Sequence, residues 1–140
     1  MIMDARRLVA LDEDDLAVVS THVQDASVRV GEIHWRPAEK RFVLGMQRID
    51  WDQVIGGKPQ SHCLVSALRF DRVLSCKARD IDMARTDREL SLVGVEFVPG
   101  TAPGGTVTLL FAPGGALRLD VECLECELAD LGQCGPSVAA

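Results

Sequence analysis

The spacing of apolar residues changes from helical to strand-like after about residue 26. Between Leu16 and Val23, apolar side chains recur at intervals of three and four residues, which is typical of one face of a helix. Asp12 is suited to be the N-cap, and acidic residues fill the next three positions, where the helix dipole favours carboxylates. The pattern predicts a short strand over residues 8–11 and a helix from residue 13 to about 25.

From Val28 onward, apolar and polar residues alternate, which indicates strands. Gly31 interrupts this alternation and predicts a bulge, after which Ile33 and Trp35 continue on the other parity. The segment 37–40 begins with a proline and predicts a hairpin loop, followed by a strand that reaches about residue 51. A long or bent strand over residues 63–78 then leads into a polar connection.

The last third of the chain predicts a three-stranded antiparallel meander. Strands over residues 90–98, 106–112 and 116–123 are separated by two Pro-Gly-Gly turns, in which glycine tolerates a positive φ. Alternation places nine apolar side chains on one face, and these are Val93, Val95, Phe97, Val107, Leu109, Phe111, Leu117, Leu119 and Val121. This face needs a cover, for which the first helix offers an apolar stripe.

Near the C-terminus, Leu124, Leu128 and Leu131 return to helical spacing, and Gly132 is suited to end a helix. The element order therefore predicts an α+β fold, mainly an antiparallel β-sheet with a helix in the N-terminal region and a short C-terminal helix. The sheet is expected either to curl into a barrel or to form two packed sheets. We expect a single domain over residues 1–140, with an ordered core at about 8–132 and a frayed tail at 133–140.

Composition narrows the possible classes of function. The 140 residues are 47% hydrophobic and carry a net charge of -6, so nucleic acid and anionic membranes are disfavoured as partners. No apolar run approaches the roughly 18 residues of a membrane span, and the N-terminus lacks the apolar stretch of a secretory signal. We therefore expect a cytoplasmic protein whose five cysteines are free thiols.

The charge is unevenly distributed, because basic residues gather on the predicted middle strands. Pairing across the proline loop is expected to set Arg29 opposite Arg48, a like-charge pair that needs solvation or a counter-ion. The predicted anion-binding or partner-binding residues are Arg29, Arg48, Arg69, Arg72, Trp35 and Trp51, with Asp50 and Asp71 nearby. The favoured alternative is that these bases form ion pairs with acids of the C-terminal third.

The pair Cys123 and Cys126 has the spacing of a zinc or redox dithiol. The favoured alternative is two structural thiols at a strand-to-helix junction. The sequence has neither a His-Glu-x-x-His zinc motif nor a Gly-x-Ser-x-Gly nucleophile motif. We predict no catalytic residue and no cofactor.

Four segments, residues 8–16, 39–44, 70–75 and 115–123, together resemble a small bacterial family catalogued as a domain of unknown function. The resemblance covers residues from about 8 to 132 and implies a short, single-domain cytosolic protein. It assigns no activity, cofactor or site residue. The leading hypothesis is thus a small non-enzymatic binding or protein-interaction domain, whose partner is another protein or a second copy of itself. The alternatives are an anion-binding protein or enzyme using the basic strands, and a thiolate metal site.

Overall fold

A computed structural model describes residues 7–49 and 63–134 of the chain. This part contains one α-helix and ten β-strands, and every strand pairing is antiparallel. In chain order the elements are β1 Arg7–Ala10, α1 Glu13–His22, β2 Ala26–Arg29, β3 Ile33–Arg36, β4 Arg41–Ile49, β5 Cys63–Phe70, β6 Val73–Arg79, β7 Glu89–Pro99, β8 Gly105–Ala112, β9 Ala116–Val121 and β10 Cys126–Gln133.

The strands form one sheet in the order β1-β10-β5-β4-β2-β7-β8-β9-β6, and β3 also pairs with β4. The strands at the two ends of this order are not hydrogen-bonded to each other, so the sheet of the described chain is open rather than a closed barrel. Its buried apolar side chains nevertheless form one continuous core. The mainly antiparallel α+β fold is therefore confirmed.

A corner in the sheet divides the long or bent strand predicted over residues 63–78 into two strands. Asp71 and Arg72 separate β5 from β6, and Arg72 takes a positive φ of 61°. Residues 122–125 separate β9 from β10 at the same level. Since β5 pairs with β10 and β6 pairs with β9, a two-stranded ribbon turns this corner as a unit.

Helix α1 begins as predicted, because the backbone N–H of Asp15 donates to Oδ1 of Asp12 at 2.8 Å. It ends at His22 rather than near residue 25, because Asp25 adopts a φ of 64° and its N–H donates to Leu92 O. The buried side chains of Leu16 and Val19 cover the core. No helix within residues 7–49 and 63–134 has the length and apolar character to cross a membrane.

The predicted C-terminal helix is wrong, because Cys126–Gln133 forms strand β10. Cys126, Leu128 and Asp130 point into the core at strand spacing, and the charged Asp130 conceals that alternation in the sequence. Leu131 follows the inward Asp130 and so lies on the outer face, at a register shift between Asp130 and Gly132. The resulting spacing of leucines imitates a helix.

The meander forms as predicted, with two differences in register. Val107 faces Leu119 rather than Val121, a shift of two residues that preserves the buried face. A bulge between Leu92 and Gly94 turns Val93 outward, where it is 50% exposed, and Leu92 is buried opposite Phe111 instead.

Candidate functional site

Arg48 lies in the core rather than on a binding surface. Its side chain is fully buried, and its Nη2 donates to both carboxylate oxygens of Asp130 at 2.9 and 2.8 Å. Its Nε lies 3.1 Å from Ser66 Oγ, and Ser66 in turn donates to Asp130 Oδ1 at 2.6 Å. The Nη1 group donates to the backbone oxygens of His22 and Ile49. All three guanidinium nitrogens are thus used within the fold.

This buried cluster of Arg48, Ser66 and Asp130 ties the sheet to the helix. Its members come from β4, β5 and β10, and the bond to His22 O places a cation at the C-terminal end of α1. Positive charge is favourable there because the helix dipole is negative at that end. The arrangement satisfies a buried ion pair with additional hydrogen bonds, which is the condition under which such a pair is tolerated in a core.

Arg29 is on the surface and does not face Arg48. Ser27 pairs with Gln47, and a 3-10 turn at Val30–Glu32 stands where a bulge was predicted. Arg29 instead lies opposite Glu89 on β7, with 3.5 Å between its Nη2 and Glu89 Oε2. The expected like-charge pairing is therefore wrong, because β2 lies against β4 in a different register.

One of the two predicted tryptophans, Trp35, lies within the described residues. Trp35 packs partly buried against the core. Trp51 and Asp50 lie outside the described residues.

Arg69 and Arg72 do come together, at the corner of the sheet. With Lys40 and Arg41 they line a cleft of about 410 Å³ that we call the corner cleft. Arg41 Nε donates to Asp71 Oδ1 at 2.8 Å, and this bond raises the pKa of Arg41 above its ordinary value. Arg69 Nε is 3.0 Å from Asp71 Oδ2 but is not directed at it, so this buried nitrogen has no hydrogen-bond partner in the described chain.

The corner cleft carries as many acids as bases. Its four acidic residues are Glu39, Asp71, Glu122 and Glu125. Ion pairs join Lys40 to Glu122 at 2.9 Å, Arg69 to Glu127 at 2.7 Å and Arg72 to Glu125 at 3.5 Å. The alternative in which the basic strands pair with acids of the C-terminal third is confirmed for these residues. An anion site at Arg69 and Arg72 stays a prediction.

Cys123 and Cys126 occupy different environments. Cys126 starts β10, is buried, and has its pKa raised by burial and by the nearby charge of Glu127. A thiol must lose its proton to bind zinc, so this environment opposes metal binding. Within residues 7–49 and 63–134, no group of three or more His, Cys, Asp or Glu residues is arranged to hold a metal ion. The dithiol metal site stays a prediction.

Two other cysteines are bonded to each other, contrary to the expectation of free thiols. Cys63 at the start of β5 and Cys134 just after β10 form a disulfide across a Cα–Cα distance of 5.3 Å. The N–H of Cys134 donates to Cys63 O at 3.0 Å, so the bond closes the end of the β5–β10 pair. Spacing did not reveal this pair, because 71 residues separate its members.

The best candidate for a binding site lies on the outer face of the sheet, across β2, β4, β5 and β10. A cleft of about 380 Å³, here the outer cleft, has Gly45, Gln47 and Val65 along its floor. One wall is Leu131, which is 68% exposed. The other wall consists of Arg29, Glu32 and Glu89. A volume of this size accommodates a side chain or a small ligand.

The carboxylate of Glu32 lies over the floor of the outer cleft. A Cβ placed on Gly45 would be 3.0 Å from Glu32 Oε1, so the absence of a side chain at Gly45 makes room for this carboxylate. Glu89 accepts from Ser27 Oγ at 3.3 Å and pairs with Arg29. Within the described chain, Glu32 has no such hydrogen bond or ion pair. The cleft thus combines an apolar wall with a carboxylate on its floor.

Sequence reasoning missed the residues that define the outer cleft. The leucine spacing predicts a helix at Leu131, and no sequence motif assigns a function to Glu32 or Gly45. The available signal was Gly45, a glycine in the middle of a predicted strand, since that position often marks a close approach of another group. The cleft itself depends on the turn at Val30–Glu32 and the bulge at Leu131, which only pairing reveals.

Comparison with known proteins gives a family but no named relative. No curated protein matches the chain. A family model described as "Protein of unknown function (DUF2948)" matches residues 6–140. This match agrees with the resemblance found from the four sequence segments. Since it covers nearly the whole chain, the protein belongs to the DUF2948 family.

Proposed function

We propose that this protein is a non-enzymatic interaction domain that binds another protein through the outer cleft. The observation that carries the proposal is the exposure of Leu131, at 68% the most exposed large apolar side chain of the described strands, beside the outer cleft. Large exposed apolar side chains next to a concave surface are typical of binding sites. The cleft is built by β2, β4, β5 and β10, which the core holds rigidly from the opposite face.

The state of the nucleophilic side chains supports a binding rather than a catalytic role. Burial raises the pKa of both Cys76 and Cys126, which keeps these thiols protonated. Ser66 is buried and its hydroxyl donates to Asp130. The arginines that line the corner cleft are engaged by acids. None of these groups is arranged for nucleophilic attack.

The test is co-purification from the native cell followed by mass spectrometry, with three forms of the protein. The wild type is expected to capture a partner that Leu131→Glu loses. Leu74→Glu is the matched control, because Leu74 is 53% exposed but lies on β6 outside the outer cleft. A partner captured equally by all three forms would refute the proposal. Light scattering on the same proteins shows whether the partner is a second copy of the chain.

A second candidate function is binding of an anion or an acidic partner at the corner cleft, which gathers Lys40, Arg41, Arg69 and Arg72. It is less favoured because four acids line the same cleft. Isothermal titration calorimetry with inorganic phosphate tests this second function. The double variant Arg69→Glu with Arg72→Glu should abolish the heat of binding, and wild-type protein that gives no heat excludes the site.

A cytoplasmic location is also proposed, and it is supported by the three cysteines of the described chain that form no disulfide, Cys76, Cys123 and Cys126. Reducing compartments keep most thiols unpaired. Fractionation of the native cell should therefore recover the protein together with cytoplasmic proteins if the location is correct. Recovery from a secreted or other oxidising fraction would refute it.

A further inference from the structure

We infer that the outer cleft receives a lysine side chain of the partner polypeptide, with its ammonium on the Glu32 carboxylate. This inference rests on the proposed function and specifies the chemistry of the partner. It is carried by the placement of one carboxylate and by the apolar surface beside it. Both belong to the described part of the chain.

The charged residues of the outer cleft leave it with a net negative charge. Glu32, Glu89 and Arg29 are the charged residues that line the outer cleft, and Arg29 is paired with Glu89. Glu32 therefore supplies a net negative charge that no cation of the described chain neutralises. The Glu32 side chain is exposed, so its carboxylate attracts a positively charged group from solution, and salt screens that attraction.

The shape of the outer cleft suits an unbranched aliphatic side chain. Gly45 has no side chain and Val65 is half-buried, so the floor is shallow and smooth. Leu131 extends beside it as an exposed aliphatic wall. A lysine combines an unbranched aliphatic stem with a terminal ammonium, and such side chains bury the stem while the charge keeps polar contacts. The stem would lie on Val65 and Leu131, and the ammonium would reach Glu32.

The charge of the outer cleft disfavours a partner residue that carries a carboxylate. A partner acid in this cleft would meet the like charge of Glu32, and Arg29 is already ion-paired with Glu89. Like charges placed together in an interface oppose binding. The cleft therefore selects cations over anions.

The experiment uses blocked amino acids that imitate residues within a chain. The probe is N-acetyl-lysine N-methylamide, and its controls are the Nζ-acetylated form and the norleucine analogue, which both lack the charge. Binding is followed through the backbone amide NMR signals of Gly45, Gln47 and Val65 during titration. The lysine probe is expected to bind about threefold more tightly than either control, which corresponds to an ion pair at an exposed carboxylate.

Two substitutions test whether Glu32 is the residue that binds the lysine probe. Glu32→Gln should reduce binding of the lysine probe to the level of norleucine, whereas Glu96→Gln, an exposed acid on β7, should leave it unchanged. Equal binding of all three probes, or of the lysine probe to both wild type and Glu32→Gln, would overturn the inference. Tighter binding of free pentane-1,5-diamine than of the lysine probe would also overturn it, since the ligand would then be a small amine.

Retention of the co-purified partner by each variant distinguishes the lysine inference from the proposed function. If Leu131→Glu loses the co-purified partner and Glu32→Gln retains it, the lysine inference fails and the interaction domain stands. If both variants lose the partner and Glu96→Gln retains it, both ideas are supported. If Leu131→Glu retains the partner, the proposed function itself fails.

Discussion

At the scale of single residues, the environment of a charge decides its contribution. Arg48 and Asp130 form an ion pair with almost no exposure, whereas the side chains of Arg29 and Glu89 are 61% and 60% exposed. Water screens the exposed pair, so its contribution to stability is small. The buried pair is different, because loss of one partner leaves an uncompensated charge in the core.

We predict that Asp130→Ala lowers the free energy of unfolding by about 3–5 kcal/mol, because Arg48 would remain buried without its counter-ion. Glu89→Ala is the control and should change it by less than about 1 kcal/mol. Urea denaturation measures both. The double variant Arg48→Met with Asp130→Leu should recover most of the loss, since it removes both charges. An Asp130→Ala protein as stable as the wild type would contradict this account.

The carboxyl group of Asp120 links stability to pH. Ser75 Oγ donates to Asp120 Oδ2 at 3.0 Å and lowers the pKa of this aspartate, and Thr106 adds a bond at 3.2 Å to Oδ1. Because the folded pKa is lower than the unfolded one, the stabilisation is complete above the unfolded value of about 3.9 and is lost as pH falls through the folded value.

We predict that Ser75→Ala raises the pKa of Asp120 toward its ordinary value, because the largest stabilising bond to the carboxylate is removed. A carboxyl ¹³C NMR titration measures the change. Ser27→Ala is the control, since its hydroxyl bonds to Glu89. An Asp120 titration that is identical in wild type and Ser75→Ala would disprove the assignment.

At the scale of elements, loop geometry depends on individual glycines. Gly114 and Gly115 are adjacent in the loop between β8 and β9 but differ in their surroundings. Gly115 has a φ of 120°, and a Cβ there would lie 2.7 Å from Ile81 Cγ1 and 3.1 Å from Asp80 O. A Cβ on Gly114 would meet no atom within 4 Å.

We predict that Gly115→Ala destabilises the protein by about 1–3 kcal/mol, since alanine is strained at this φ and its Cβ collides with a neighbour. Gly114→Ala should stay within about 0.5 kcal/mol of the wild type, as is usual for a surface substitution without contacts. Thermal and urea denaturation of the two variants provide the comparison. Equal destabilisation by both substitutions would argue against the loop conformation.

At the scale of the whole molecule, a disulfide joins distant parts of the chain. Cys63 and Cys134 are 71 residues apart and clamp the end of the β5–β10 pair. Between Asp130 and Cys134 lies the bulge that places Leu131 beside the outer cleft. The bond therefore restrains one wall of the candidate site as well as the sheet.

We predict that reduction with dithiothreitol lowers the free energy of unfolding by about 4 kcal/mol, because closing a loop of this length removes conformational entropy from the unfolded chain. Cys63→Ser should show the same loss and no further response to the reductant. Cys123→Ser, the control, should respond as the wild type does. Chemical denaturation with and without reductant measures each effect, and a wild type indifferent to reductant would contradict the prediction.

Much of the architecture was predictable because local patterns determined it. The cap at Asp12, the loop at residues 37–40 and the buried face of the meander follow from side-chain chemistry and spacing over a few residues. The candidate site could not be predicted from local patterns in the same way. Arg48 is predicted as a surface binding residue opposite Arg29 but is buried, because its partner Asp130 lies 82 residues away and pairing by strand register alone assigns it the wrong neighbour.

The sequence by itself determined an acidic α+β domain with a capped helix and antiparallel strands, since periodicity and turn residues act over short distances. The tertiary structure decided the course of β10, the partners of the arginines and the position of the outer cleft. These depend on which distant strands pair and on bulges that shift the register by one residue. A shift of one residue moves a side chain from the core to the surface, as Val93 shows.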